Sequence, residues 1–157
     1  MDAFVRWPAS IKAGQTVDQT ICQTDVFATL ADMLNVELPP NAAEDSFSLL
    51  PQLRGEAASI DRAPVIHHDI GGRFAIRDGR WKLIMKGESG GFELYDMEND
   101  VQETKDLAKQ HPEVVELLTK KITDIVKRGR STPGPDQKND GDAWWKQLSW
   151  IQASEMK

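Results

Sequence analysis

Cysteine is almost missing from this sequence: Cys22 is the only one in 157 residues. One thiol can form neither an internal disulfide nor a thiolate metal cage, so a disulfide scaffold and a Cys-rich zinc module are both excluded. The count leaves the redox compartment open, and the plain reading of Cys22 is a small buried packing residue. Long apolar runs are lacking too. Stretches such as Leu83-Ile84-Met85 span only a few residues, against the roughly 20 that a transmembrane helix needs. A membrane partner is therefore not expected. Nor is there an excess of positive charge, since 19 Lys and Arg stand against 25 Asp and Glu for a net charge of −6. A nucleic-acid binder would carry a basic patch or stripe, so that class is not expected either. Affinity for an anionic ligand would have to come from a local cluster working against the overall field. Residues 1–8 show no basic stretch followed by an apolar one, so no signal peptide can be read. In a fragment, that says nothing about where the parent protein resides.

What is present is the patterning of one ordinary globular domain, with 39% hydrophobic and 28% charged residues. Ala3 to Trp7 reads as a short strand stopped by Pro8. Val26, Phe27, Leu30, Met33 and Leu34 recur at helical spacing, which predicts a helix over 24–35 with Thr24 as N-cap and Asp25 in the first turn. Residues 39–63 read as loop with a helical turn near Leu49 to Leu53. Strands follow at Val65–His68, Arg73–Arg77, Trp81–Met85 and Phe92–Tyr95. Asp78-Gly79 marks a tight hairpin between the second and third. A turn on those two residues sets Arg77 opposite Arg80 and Ile76 opposite Trp81. Phe74, Ile76, Trp81 and Leu83 then share the buried face, and Ala75 and Lys82 share the other. From Pro112 an amphipathic helix runs to about residue 128, where Gly129 is the expected stop. The tail carries Trp144, Trp145 and Trp150, whose large apolar area favours packing back onto the body over stacking on sugar.

Several segments carry a family resemblance in this order. Thr24-Asp25-Val26-Phe27-Ala28-Thr29-Leu30-Ala31-Asp32 resembles the helix that sulfatases place after their last active-site strand. Glu44 to Pro51 with Leu53-Arg54-Gly55 resembles the loop that follows. Ile76-Arg77-Asp78-Gly79-Arg80-Trp81-Lys82-Leu83 is similar to the family's C-terminal hairpin. Glu93-Leu94-Tyr95-Asp96-Met97, with Asp100, Glu103 and Asp106-Leu107-Ala108, is similar to the segment leading into the last helix. Gly129 to Pro135 resembles the ending of many microbial members. The resemblance, to formylglycine-dependent, arylsulfatase-like sulfatases of the alkaline phosphatase superfamily, covers residues 3 to about 135. It implies an α+β fold, a four-stranded antiparallel sheet packed on a C-terminal helix, preceded by a strand and helix left over from a larger α/β domain. The expected organisation is 1–63 as the end of that truncated domain, 64–130 as the small C-terminal subdomain and 131–157 as an irregular tail. Family members are often periplasmic, secreted or lysosomal.

The resemblance also implies a chemistry: a formylglycine made within Cys/Ser-x-Pro-x-Arg attacks sulfur while a calcium ion neutralises the sulfate. This chain does not supply it. Cys22 is followed by Gln23, Thr24 and Asp25, and the Asp-Asp, Asp-Asn and Gly-Lys/His elements are absent. No catalytic residue and no metal ligand is assigned. Calcium and formylglycine are expected only in the full-length enzyme, whose missing N-terminal catalytic domain is the expected partner. The acidic run Asp96 to Asp100 fails the EF-hand pattern, which needs Gly at position six and Glu at twelve where this sequence has Val101 and Leu107. His67 and His68 on one strand must point to opposite faces and cannot chelate one metal together. With Arg73 and Arg77 they are the candidate contacts to a sulfated small molecule or glycan, and Arg80 extends the same basic rim. Structural histidines and surface ion pairs to Asp69 or Asp78 are the competing reading. The expected function is the C-terminal segment of a sulfuric ester hydrolase acting on carbohydrate sulfates, and inactive alone. The alternatives are a non-catalytic module that binds sulfated glycan or complements a separate chain, and a fragment of a related phosphoesterase. Surfaces exposed by truncation also predict self-association.

Overall fold

A computed structural model of the protein describes residues 2–87, 90–138, 141–142 and 144–151. It divides into two compact units, Met1–Arg62 and Ala63–Lys157. The first holds helices α1 (Asp25–Met33) and α2 (Leu50–Leu53). The second holds strands β1 (Val65–His68), β2 (Phe74–Asp78), β3 (Trp81–Met85) and β4 (Phe92–Asp96), then α3 (Pro112–Arg128) and a single 3₁₀ turn, Lys146–Leu148. Among the described residues no helix is long and apolar enough to cross a membrane.

The second unit is a four-stranded antiparallel meander in the order β1-β2-β3-β4. Its registers stack Ile66, Ile76, Leu83 and Leu94 in one cross-strand row. Ile76, Leu83, Met85 and Leu94 from this face meet Leu118 and Ile122 of α3 in a closed core. Because side chains alternate across a strand, that row forces the intervening residues to the face away from α3.

The β2–β3 hairpin corrects the expected register. Asp78 pairs with Trp81, Arg77 with Lys82 and Ile76 with Leu83. The two turn residues are therefore Gly79 and Arg80, not Asp78 and Gly79. Gly79 sits first with a φ of 53°, as a Gly-first two-residue hairpin requires. Arg80, expected opposite Arg77, turns instead to the Asp96 carboxylate and lies over the Trp81 ring, 4.9 Å from its centroid. The displacement is two residues, so every side chain keeps its predicted face although its partner changes.

Pro112 and Gly129 bound α3 as expected. Gly129 has a φ of 65°, and a Cβ there would stand 2.3 Å from the Gln137 carbonyl oxygen. The chain folds back at this point, with Gln137 N–H donating to the Arg128 carbonyl at 2.8 Å. The tail then packs onto the sheet unit. Leu148 and Ile151 are buried. Trp150 meets Phe74 edge-on at 5.6 Å and donates its indole N–H to the Thr123 hydroxyl at 3.1 Å. Burial of apolar area outweighs the polar composition of the segment.

The first unit is built differently. Ala3–Trp7 is not a strand: among the described residues no strand pairs with it, and Phe4 is 94% exposed. Helix α1 is shorter than expected at both ends. Thr24 does not cap it, because its hydroxyl donates to the Asp45 carbonyl at 3.0 Å. The organising group is Asp25, fully buried, whose carboxylate accepts the backbone N–H of Cys22 at 2.7 Å and of Phe47 at 3.1 Å. Arg62 Nη2 lies 3.1 Å from both its oxygens, with the guanidinium over the Phe47 ring at 5.1 Å. One turn on, Thr29 accepts the Leu49 N–H at 2.9 Å, and Asp32 accepts from Ser48. At about 100° per residue, Asp25, Thr29 and Asp32 fall on one side of α1, facing residues 45–49. Val26, Phe27, Leu30 and Leu34 fall on the other and are exposed. The helix is inverted, with its polar side inward.

Two stability outcomes follow. Gly129→Ala adds the close approach to Gln137 to the strain of positive φ and should cost about 2–3 kcal/mol. Gly79→Ala, with open space around its Cβ, should cost only about 1 kcal/mol. Thermal denaturation should show the larger Tm loss for Gly129→Ala, and equal losses would mean that the close approach is unimportant. Asp25→Ala breaks a buried, hydrogen-bonded ion pair at a cost of about 3–5 kcal/mol. In amide hydrogen exchange, Cys22 and Phe47 should lose protection while β2 and β3 keep theirs.

Candidate functional site

The face of the sheet away from α3 carries the candidate residues. His67 pairs with Ala75, which pairs with Ile84, which pairs with Glu93. One step along, Val65 pairs with Arg77, Arg77 with Lys82 and Lys82 with Tyr95. Arg73, one residue before β2, falls on the same side by alternation. His67, Arg73 and Arg77 are therefore brought to one face. His68 is not: it points to the other side, where its ring tilts against Phe74 at 5.7 Å and its Nδ1 lies 3.0 Å from the Asp69 carbonyl. The two histidines diverge as alternation predicts.

These groups differ in how far they are already engaged. Arg73 binds Asp69, with Nε 2.7 Å from a carboxylate oxygen and the backbone N–H on the other oxygen at 3.0 Å. Both residues are held in their charged forms by this pairing: the Asp69 carboxyl is pulled below its usual range and the Arg73 guanidinium raised. This is the surface ion pair weighed against the rim reading. Arg77 is different. Its Nε donates to the Gly79 carbonyl at 2.7 Å, and among the described residues no carboxylate reaches ion-pair distance of it. Burial pushes its guanidinium below the ordinary value, against the pull of Glu98, Asp96 and Glu103. His67 makes no hydrogen bond among the described residues. Burial, and next the Lys82 ammonium, lower its imidazole, with Glu103 acting in the opposite sense and His68 adding to the lowering. His67 is therefore held neutral near pH 7.

Lys82 is the member that sequence reasoning left out. It stands opposite Arg77 and is bonded to Glu103 at 2.5 Å. Glu103 is itself held at a left-handed φ of 56°, a conformation that costs a non-glycine residue energy. The expected register set Lys82 opposite Ala75, which hid its position beside Arg77, although its face was already given by parity. Lys86 and Glu93 add a further pair at 3.1 Å. Arg80 leaves the rim for Asp96, as described above.

The side chains do not fit the calcium and formylglycine of a sulfatase centre. Cys22 lies in Cys22-Gln23-Thr24-Asp25, without the Pro and Arg of the modification motif. Among the described residues no three His, Cys, Asp or Glu side chains converge to hold a metal. In the acidic run, Asp96 is engaged by Arg80, Asn99 and the Glu98 N–H, which hold its carboxyl at about 2. Asp100 accepts the N–H groups of Thr104 and Lys105.

Comparison with known proteins identifies the family. The family described as N-sulphoglucosamine sulphohydrolase, C-terminal, matches residues 1–128. The N-acetylgalactosamine-6-O-sulfatase of Bacteroides thetaiotaomicron is 33% identical over 139 residues, covering 80% of this chain and 27% of that protein. Arylsulfatase K of Mus musculus is 27% identical, covering 87% of this chain and 27% of its own. A solved structure from the glycosaminoglycan metabolism of Bacteroides thetaiotaomicron superposes with a TM-score of 0.69 at 31% identity, over 76% of this chain and 28% of that one. Another, solved in complex with its substrate D-glucosamine-2-N,6-O-disulfate, gives a TM-score of 0.59 at 27% identity over 85% of this chain and 29% of that one. The chain thus spans a little over a quarter of the length of the relatives it matches. With the family match running through both units, this chain belongs to the sulfatases, as a C-terminal sulfatase domain.

Proposed function

We propose that this domain is the substrate-side portion of an enzyme hydrolysing sulfate esters of carbohydrates, and that it has no turnover alone. The observation that carries the reading is the convergence of Arg77, Lys82 and His67 on one sheet face, with Arg77 free of a carboxylate partner among the described residues. A sulfate offers several acceptor oxygens to a planar guanidinium fork, and the local cluster supplies the attraction that a net charge of −6 denies the molecule as a whole. A neutral His67 beside them can accept a hydrogen bond from a sugar hydroxyl. The names of the relatives support carbohydrate as the ester's carrier: one is an N-acetylgalactosamine-6-O-sulfatase, and one holds a sulfated glucosamine as its substrate. The formylglycine and calcium of the reaction belong, in this reading, to the catalytic portion that the longer relatives carry. That portion is this domain's partner.

Assayed with calcium on N-acetylgalactosamine 6-sulfate and on an aryl sulfate, this chain should give no turnover above buffer. Turnover that Cys22→Ala abolishes would overturn the proposal. In a polypeptide joining this domain to its catalytic portion, Arg77→Ala should raise KM for the sulfated sugar about tenfold, the worth of one charge-assisted hydrogen bond. Arg77→Lys should recover part of the loss, and an unchanged KM would remove Arg77 from the substrate side. By NMR, His67 should titrate below the usual imidazole range. Because the Lys82 ammonium disfavours the imidazolium, Lys82→Met should move that midpoint upward.

A further inference from the structure

The three tryptophans of the tail do not share one fate. Trp150 packs on the core and donates to Thr123, and Trp144 is half-buried with its indole N–H on the Ile151 carbonyl at 2.9 Å. Trp145 is 49% exposed. It is held from behind all the same. Its ring centroid lies 6.4 Å from that of Phe74, which lies 5.7 Å from that of His68. Its indole N–H already donates to the Asp142 carbonyl at 3.1 Å, so what it offers a ligand is the apolar, electron-rich ring rather than a polar edge.

The segment that presents this ring is firmly seated. Leu148, whose N–H donates to the Trp145 carbonyl at 2.9 Å, is buried, and the Ser149 hydroxyl donates to the Gly87 carbonyl at 2.7 Å. Gln147 packs on the turn between β1 and β2 at Gly72, where φ is 79° and a Cβ would stand 2.9 Å from Gln147 Cγ. Glycine there permits both the turn and the close approach of the tail. Beside the same turn His68 is exposed, with Nδ1 against the Asp69 carbonyl. A carbonyl only accepts, so Nδ1 carries the proton and Nε2 is left to a ligand. A fixed, half-exposed aromatic ring in line with an outward hydrogen-bonding nitrogen suits a ligand that has an apolar C–H face and hydroxyl edges, which is the chemistry of a sugar ring.

We infer that Trp145, with His68, forms a stacking subsite for a saccharide ring of the glycan other than the one that carries the sulfate. His67, Arg77 and Lys82 lie on one side of the sheet and His68 on the other, and β1 is the edge strand between them. A glycan passing over that edge meets the cationic face with its sulfate and Trp145 with a neighbouring sugar. Trp145 stands outside the residues matched by the family, which end at 128, so the subsite is an addition carried by this chain's own tail. The inference rests on the reading that the ester's carrier is carbohydrate, and adds where the rest of that carrier is held.

The test follows the indole N–H signals of this chain by NMR while a sugar is titrated in. The probes are N-acetylgalactosamine 6-sulfate, a tetrasaccharide containing that unit, and the same tetrasaccharide desulfated. Both tetrasaccharides should shift the Trp145 signal. Trp145→Ala should weaken their binding about tenfold, the worth of one stacked ring, and leave the monosaccharide unchanged. Trp145→Phe should keep most of the affinity. Trp145→Leu, which fills the place against Phe74 without an aromatic face, should show the same selective loss as Trp145→Ala and so separates stacking from the seating of the tail. A Trp145 signal unmoved by the tetrasaccharides, equal affinity in Trp145→Ala, or a monosaccharide loss as large as the tetrasaccharide loss would each overturn the inference. So would sedimentation showing that Trp145 instead joins two copies of the chain. Arg77→Ala should weaken the sulfated probes and spare the desulfated one. A response to Trp145→Ala with none to Arg77→Ala counts against the cationic face alone, and the converse counts against the stacking subsite alone.

Discussion

Everything in the second unit depends on strict alternation across four paired strands. Once Ile76, Leu83 and Leu94 are committed to the core under α3, the residues between them have no choice of side. Arg77 and Lys82 are neighbours because their flanking residues are buried together, and His67 joins them because Ile66 is in the same apolar row. None of these polar groups positions itself. The positional accuracy of the cationic face is borrowed from the packing behind it, which is what the proposed role in holding a sulfate would require.

That dependence explains what the sequence made legible. The four strands and α3 were readable because alternation and the 3.6-residue stripe report directly on a one-sided core. The faces were readable even where the register was not. Asp-Gly is a strong hairpin signal, but Gly-Arg satisfies a Gly-first turn equally well, and the two solutions differ by two residues, which leaves parity untouched. The divergence of His67 and His68 survived for the same reason. Lys82 was missed because only the register, not the parity, places it across from Arg77. Ala3–Trp7 was misread because a strand needs a neighbour, and propensity carries no information about one.

The first unit shows the opposite logic. Its helix periodicity was legible, but periodicity does not say which side is inside. Here a buried carboxylate decides. Asp25 satisfies two backbone N–H groups and Arg62, and a charge buried this deeply must keep its partners. Hydrogen-bonded polar contacts, not apolar area, hold α1 against the 45–49 segment, and the apolar stripe is left facing outward. The two units thus differ in what organises them: an apolar core in one, a buried ion pair in the other.

The docked tail bears on where this domain stops. The family match ends at residue 128, the last residue of α3. Yet Trp150 lies against the core, with its indole on a threonine of that same helix, and Leu148 and Ile151 are buried beyond it. The end of the family match and the end of the packed unit therefore do not coincide. Residues outside that match therefore seal the Phe74 end of the sheet, so a chain cut at the end of α3 would leave one edge of this core open to water.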